Sequence, residues 1–267
     1  AEAIAAGSVV ETGRTVAALR PVAGGGWEVG VDRSGGPDGG ARPGPVTPSG
    51  SGHGGDDRAP AEWLGADAVI VAAGPWCAEL GAMVGIDVPI VAVRGQMWAS
   101  EPQPSMLRHA IAAAESALAW SAEPQSDQDP PNLTHKAGQR LTRHLYGRQR
   151  ATGEIIFGGD RVLTVDRGVD RGGIGTNHGH VAELLPFVGS LPPATTWAGL
   201  MPFTVDGKPI LGPVPDHDGL FLAGGLASSG FGRGPMTGRL IADLVMGRDP
   251  EFETTSLAPG DRVRPLG

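Results

Sequence analysis

The stretch Gly219-Leu-Phe-Leu-Ala-Gly-Gly225-Leu-Ala-Ser-Ser-Gly230-Phe-Gly-Arg-Gly-Pro235-Met-Thr-Gly-Arg-Leu240-Ile-Ala-Asp-Leu-Val245 decides the fold. Residues 219–223 are a short apolar run of strand length, and Gly224-Gly225 opens a turn punctuated by Gly230, Gly232 and Gly234. Pro235 is then predicted to open a helix, because its fixed φ suits a first helical position and its missing N–H is unneeded there. Met236, Leu240, Ile241, Leu244 and Val245 share one side of that helix, and Gly247 with Pro250 ends it. A strand feeding a helix through glycines leaves backbone N–H groups free to approach a ligand, with the positive end of the helix dipole behind them.

A second junction of this kind lies upstream. Residues 66–73 are a mainly apolar run that reads as a strand buried on both faces. It ends at Gly74, and Pro75 opens a helix with Leu80, Met83 and Val84 on one side and Gly85 as its stop. Residues 9–10, 15–19 and 27–31 are short β-like pieces that read as a small antiparallel meander. Residues 88–99 favour strand with an interruption at Arg94-Gly95-Gln96, residues 146–158 read as a hairpin turning near 151–153, and residues 181–188 as a helix weakened by Pro186. The first residues, ending at Gly7, read as the tail of a helix. With no initial Met, this points to an internal start and a fragment of a longer protein.

Composition narrows the function. A net charge of -8 argues against a surface built to hold nucleic-acid phosphates, and the single Cys77 excludes an internal disulfide or a multi-cysteine metal site. No apolar run reaches the length of a membrane span, so a cytoplasmic small-molecule role is the expectation. Residues 32–60 carry almost no large apolar side chain and are read as a surface insertion. The Gly50, Gly52, Gly55 match to a dinucleotide fingerprint falls inside it, without the required strand and helix. His178 and His180 read as loop residues, Asp206-Gly207 as a turn, and Cys77 as a small buried residue.

Taken in order, residues 69–80, Val93-Arg-Gly-Gln-Met97, the 146–159 hairpin, Trp197-Ala-Gly-Leu-Met-Pro-Phe-Thr-Val-Asp-Gly-Lys-Pro-Ile-Leu-Gly-Pro213 and the quoted stretch resemble the D-amino acid oxidase superfamily of FAD-dependent oxidoreductases, of the glycine oxidase, sarcosine or dimethylglycine dehydrogenase and D-amino acid dehydrogenase type. The resemblance implies an α/β fold: an incomplete Rossmann-like FAD-binding domain, residues 1–86 and 195–267, interrupted by an antiparallel substrate domain, residues 87–194. It lacks the N-terminal Gly-x-Gly-x-x-Gly segment of the family. It also implies that the Val16 backbone meets the adenine end, and that Ala73, Gly74, Pro75 and Trp76 lie near the dinucleotide. Gly225, Leu226, Ala227, Ser228, Ser229, Gly230, Phe231 and Gly232 would wrap the flavin ring.

The implied reaction is oxidation of a C–N bond, with hydride passing to flavin N5 to give an imine, and no residue is named as a general base. The implied partners are a small amine or amino-acid substrate and an electron acceptor. Two alternatives stand beside it: a non-catalytic truncated scaffold, and a flavin enzyme acting on a hydroxy acid. Met201 stands where many relatives carry an arginine that binds the substrate carboxylate. A thioether cannot do this, so a less polar or N-substituted amine fits better unless Arg94, Arg148 or Arg233 takes over. Tyr146 either lines the substrate pocket or packs on the sheet. Phe203 stands where some relatives place a cysteine bonded to flavin, so no covalent link is expected there.

Overall fold

The computed structural model describes residues 5–33, 59–122 and 129–266. In chain order the strands begin with β1 (Arg14–Pro21), β2 (Trp27–Arg33), β3 (Glu62–Ala66) and β4 (Val69–Val71), followed by helix α1 (Cys77–Ala82). Then come β5 (Ile86–Asp87), β6 (Ile90–Ala99), β7 (Ile111–Ala112), helix α2 (Glu115–Ala122), β8 (His135–Lys136), β9 (Gln139–Arg140), β10 (Tyr146–Gln149), β11 (Ile155–Gly158) and β12 (Val162–Leu163). Helix α3 (Arg171–Leu184), β13 (Thr195–Thr204), β14 (Ile210–Pro213), β15 (Leu220–Gly224), helix α4 (Gly230–Val245) and β16 (Arg264–Pro265) complete the order.

β1, β2 and β3 form an antiparallel meander whose third strand is β3 rather than the expected residues 9–10; it is sealed by buried Trp27, whose Nε1 donates to the Asp218 carbonyl at 2.9 Å. β15 lies between β14 and β4, antiparallel to the first and parallel to the second. Side-chain alternation along β15 divides its two faces. Leu220 and Leu222 join Trp27, Val71, Cys77 and Ile90 in one core, while Phe221 and Ala223 meet Leu240, Ile241, Leu244 and Val245 of α4.

The larger sheet is built on β6. β13 is hydrogen-bonded along its whole length to one edge of β6, and β11 and β12 occupy the other, with β10 and β7 beyond β11. One face carries Trp98, Ile155 and Phe157, packed with Ile174 and Val181 of α3. β13 therefore continues the sheet of the middle segment, although the sequence-based division began the C-terminal part at residue 195.

Several sequence expectations change, each for a physical reason. β6 runs without a break through Arg94-Gly95-Gln96, because Gly95 pairs with Gly199 and the Gln96 side chain is held by Asp160 and the Asp170 N–H. The run 66–73 is divided: Ala66 ends the meander, only Val69–Val71 joins the second sheet, and Ile70 is 43% exposed. Val9 and Val10 are exposed and outside any strand, and Met83 and Met236 are exposed rather than on the buried side of their helices. α4 begins at Gly230, so Pro235 lies inside it. α3 begins ten residues before the predicted start, and carries His178 and His180 on a helix rather than a loop. Its glycines hide the helical period, and Gly173 is needed there: a Cβ would lie 2.4 Å from Gln96 Nε2 and 2.8 Å from Asp160 Oδ2. The 146–158 hairpin and the turn at Asp206-Gly207 form as read, and Cys77 is buried. The expected insertion falls, apart from its ends, outside the described residues, as do residues 1–4.

Candidate functional site

The end of β15 explains why the quoted stretch is so rich in small residues. A Cβ on Gly224 would sit 2.9 Å from Ile90 Cδ1, and one on Gly225 would sit 2.5 Å from Thr204 Cγ2. Gly225 (φ +70), Leu226 (φ -77, ψ 0) and Ala227 (φ +51) then alternate in handedness. Such alternation turns successive N–H groups toward one side and creates a concavity for negative charge. An alanine in the left-handed region costs on the order of 1–2 kcal/mol, which the packing of Ala227 against Val93, Met201 and Phe203 helps to offset. α4 follows with no side-chain cap. Around Gly232 and Gly234 there is open space, and Phe231 is completely exposed (103%). An apolar ring beside uncapped helix amides is a surface suited to a planar, electron-rich ligand.

The turns Gly74–Trp76 and Ala227–Ser229 both lie against β13. Register shows what the sheet presents to them. Tyr146, Gly158, Met97 and Trp197 are directly opposite one another on successive strands, so they share a face. Two residues along, Gly95 faces Gly199, and two further, Val93 faces Met201. The result is a glycine floor between Met97 and Trp197 on one side and Met201 on the other, open at Gly199 and overlain at Gly95 by the Met201 side chain. The Met201 Cε reaches 3.0 Å from where a Gly95 Cβ would stand. A cavity of about 400 Å³ is lined by Met97, Ile111, Tyr146, Arg148, Ile156 and Trp197 at the Tyr146 end of this face.

Two residues that sequence reading missed stand at its edge. Arg161 precedes β12 and alternates with Val162, which pairs with Arg94 on the other face. Its guanidinium lies 4.7 Å from the centre of the Trp120 ring and 5.9 Å from that of Phe203, and donates to Ser228 Oγ at 3.1 Å and to the Asn132 carbonyl at 3.5 Å. Burial pushes its pKa below the ordinary value, against an opposing pull from Tyr146. His144, 8% exposed, lies between Trp120 (4.6 Å) and Tyr146 (5.7 Å); its Nδ1 is 2.8 Å from Ser116 Oγ, while buried Nε2 has no hydrogen-bond partner. Desolvation, with Arg161 nearby, lowers its pKa to about 4, the attraction of Asp160 opposing. Neither residue belongs to a local motif. Only their convergence in three dimensions marks them.

The other candidates fall as follows. Val16 and Ala73 pack on the same core as Val71 and Cys77, which brings the β1 and β4 ends of the proposed dinucleotide site together. Pro75 lies in a 3-10 turn that leads into α1. Arg94 projects from the face opposite Tyr146 and Met201, and is engaged by Asp166 (3.2 Å) and the Gly168 carbonyl (3.0 Å), so it is not placed to reach the glycine floor. Arg148 is exposed at the cavity, and Arg233 is exposed in the first turns of α4. Burial pushes the Cys77 thiol up to about 11, which suits packing rather than reactivity. His178 bonds the Leu191 carbonyl and stacks edge-on against Trp98, and no metal-ligating cluster occurs among the described residues.

A family model described as FAD dependent oxidoreductase matches residues 1–244. Glycine oxidase of Geobacillus kaustophilus is 31% identical over 202 residues, covering 76% of this chain and 46% of that protein. D-amino acid dehydrogenase of Bradyrhizobium diazoefficiens is 29% identical over 194 residues, covering 73% and 40%. The solved glycine oxidase from Geobacillus kaustophilus superposes with a TM-score of 0.69 at 23% identity, over 96% of this chain and 54% of that one. An iminodiacetate oxidase from Chelativorans sp. BNC1 gives 0.66, over 96% and 55%. The chain thus spans about half the length of the curated relatives it matches. The chain belongs to the FAD-dependent oxidoreductase family of D-amino acid oxidase type.

Proposed function

We propose that the protein of which this chain forms part oxidises the C–N bond of a small amine or amino acid with FAD. The observation that carries the reading is the left-right-left backbone at Gly225, Leu226 and Ala227, opening onto an uncapped helix and lying against the same strand as the glycine floor. The residues fit the group: Gly232 and Gly234 leave space for a flat ring, and the amides of the turn oppose negative charge at its pyrimidine edge. In this reading Gly225 through Gly232 hold the ring, Ala73 through Trp76 and Val16 lie along the dinucleotide, and residues 87–194 supply most of the substrate side.

FAD supplies the two-electron oxidation, accepting hydride from the carbon that bears the amine, and the imine product is hydrolysed by water. The chain's own part is positional. The open backbone at Gly199 admits substrate closely, Met97, Met201 and Trp197 exclude water, and Tyr146 borders the entrance. No side chain is assigned as a base. We place the protein in the cytoplasm, with oxygen or a separate electron acceptor closing the cycle; among the described residues, no helix is long and apolar enough to cross a membrane.

The test is to express the whole gene product that carries this chain, saturate it with FAD, and offer small amines, amino acids and hydroxy acids while following bleaching of the flavin bands. Bleaching by amino donors supports the proposal. Bleaching by hydroxy acids alone would assign the other oxidation, and a colourless folded protein would make the chain a scaffold.

A further inference from the structure

We propose that Arg161 is the carboxylate anchor of this site, so that the substrate is an amino acid rather than a neutral amine, with Arg161 taking the role that Met201 cannot fill. The inference deepens the proposed function and rests on it for the chemistry, but the anchor itself is argued from Arg161's surroundings.

Arginine carries five N–H groups and remains charged at any ordinary pH. Arg161 uses two of them, on Ser228 Oγ and the Asn132 carbonyl, both neutral acceptors. Among the described residues no carboxylate lies within ion-pair distance of it, although it is largely withdrawn from water between the rings of Trp120 and Phe203. The neighbouring carboxylate, Asp160, is already committed to Arg140 at 2.9 Å and to Gln96 at 2.8 Å. A half-buried cation with only neutral partners keeps an uncompensated desolvation cost until an anion arrives. The planar fork of three unused N–H groups is suited to a carboxylate.

The site is also held firmly. The Arg161 N–H donates to Thr134 Oγ1 at 2.7 Å and its carbonyl accepts from the Thr134 N–H at 3.0 Å, while Trp120 Nε1 donates to the Leu133 carbonyl at 2.9 Å. Leu133 is buried with Phe203 and Val93 beside Met201 and Ala227. The cation thus stands between the sheet face that carries the glycine floor and Ser228 in the loop proposed to wrap the flavin. A carboxylate on Arg161 would leave the rest of a small amino acid directed past Met201 toward the open backbone at Gly199.

The experiment titrates the FAD-saturated whole protein with acetate, and with acetamide as its neutral counterpart, following the flavin bands and tryptophan fluorescence together, in wild type, Arg161→Gln and Arg161→Lys. The expected result is saturable binding of acetate but not acetamide in the wild type, weakened about 10- to 100-fold in Arg161→Gln at unchanged flavin content, with partial recovery in Arg161→Lys. The fluorescence arm, with Trp120→Phe to identify the reporter, reads the anchor even in protein that retains no flavin, so failure of the FAD reading and failure of this one are distinguishable. Equal affinity for acetate in wild type and Arg161→Gln, or no acetate response in either signal, overturns the inference. Loss of flavin in Arg161→Gln also overturns it, by assigning the cation to the cofactor.

Discussion

His144 should make the stability of this domain depend on pH in a way that identifies its environment. The ring is buried, contacts Trp120 and Tyr146, bonds only Ser116, and its pKa is lowered to about 4 by desolvation, with Arg161 adding repulsion. In the unfolded chain the ring titrates at its ordinary value of 6.5. Between those two values the unfolded state binds more protons, so stability falls as the pH falls. The contribution is fully present above 6.5 and has been lost by about pH 4. At about 1.4 kcal/mol per pH unit, the interval amounts to about 3 kcal/mol. Urea unfolding at several pH values between about 7 and 4, in wild type and His144→Phe, measures it. Subtracting the two slopes removes the carboxylates and the other histidines common to both. The wild type is expected to lose about 3 kcal/mol more than the variant over this range. Parallel slopes would refute the reasoning and place His144 in contact with water.

Three further outcomes follow from the packing. Removing the partner of buried Asp160 with Arg140→Gln leaves a carboxylate held by Gln96 alone and should cost about 3–5 kcal/mol in denaturant unfolding, with Asp160→Asn in the same chain recovering part of it. Gly173→Ala drives a methyl into Gln96 and Asp160 and should cost about 1–3 kcal/mol, visible as a lowered Tm, whereas Gly175→Ala, which meets open space, should be neutral or stabilising. Trp27→Phe keeps most of the ring's burial but removes the bond to the Asp218 carbonyl and should cost about 1–3 kcal/mol, read by thermal unfolding.

The parts of the fold legible in the sequence were those written in local chemistry. Gly224-Gly225 marks the end of β15 and Gly74-Pro75 the turn between β4 and α1, because left-handed or crowded backbone there tolerates little else. The start of α3 was not legible, because Gly172, Gly173 and Gly175 weaken the helical signal, and of these Gly173 is required by a tertiary contact, the close approach of Gln96 and Asp160. Pro235 misled for the opposite reason: local chemistry favours a helix start, while α4 already runs from Gly230. The same division applies to the site. The loop after β15 could be read from its glycines. Arg94 looked like a candidate cation until strand alternation put it on the far face with Asp166, and Arg161 carries no signal apart from the Trp120, Phe203 and Ser228 that surround it.

The most direct measurement is the visible absorbance of the whole gene product after equilibration with FAD and removal of free cofactor, compared with Gly225→Val, whose side chain would collide with Thr204 at the turn. The account predicts flavin bands at stoichiometric occupancy in the wild type and their loss in a variant that remains folded by circular dichroism. A folded wild-type protein that retains no flavin, or a variant that keeps the full complement, would contradict it.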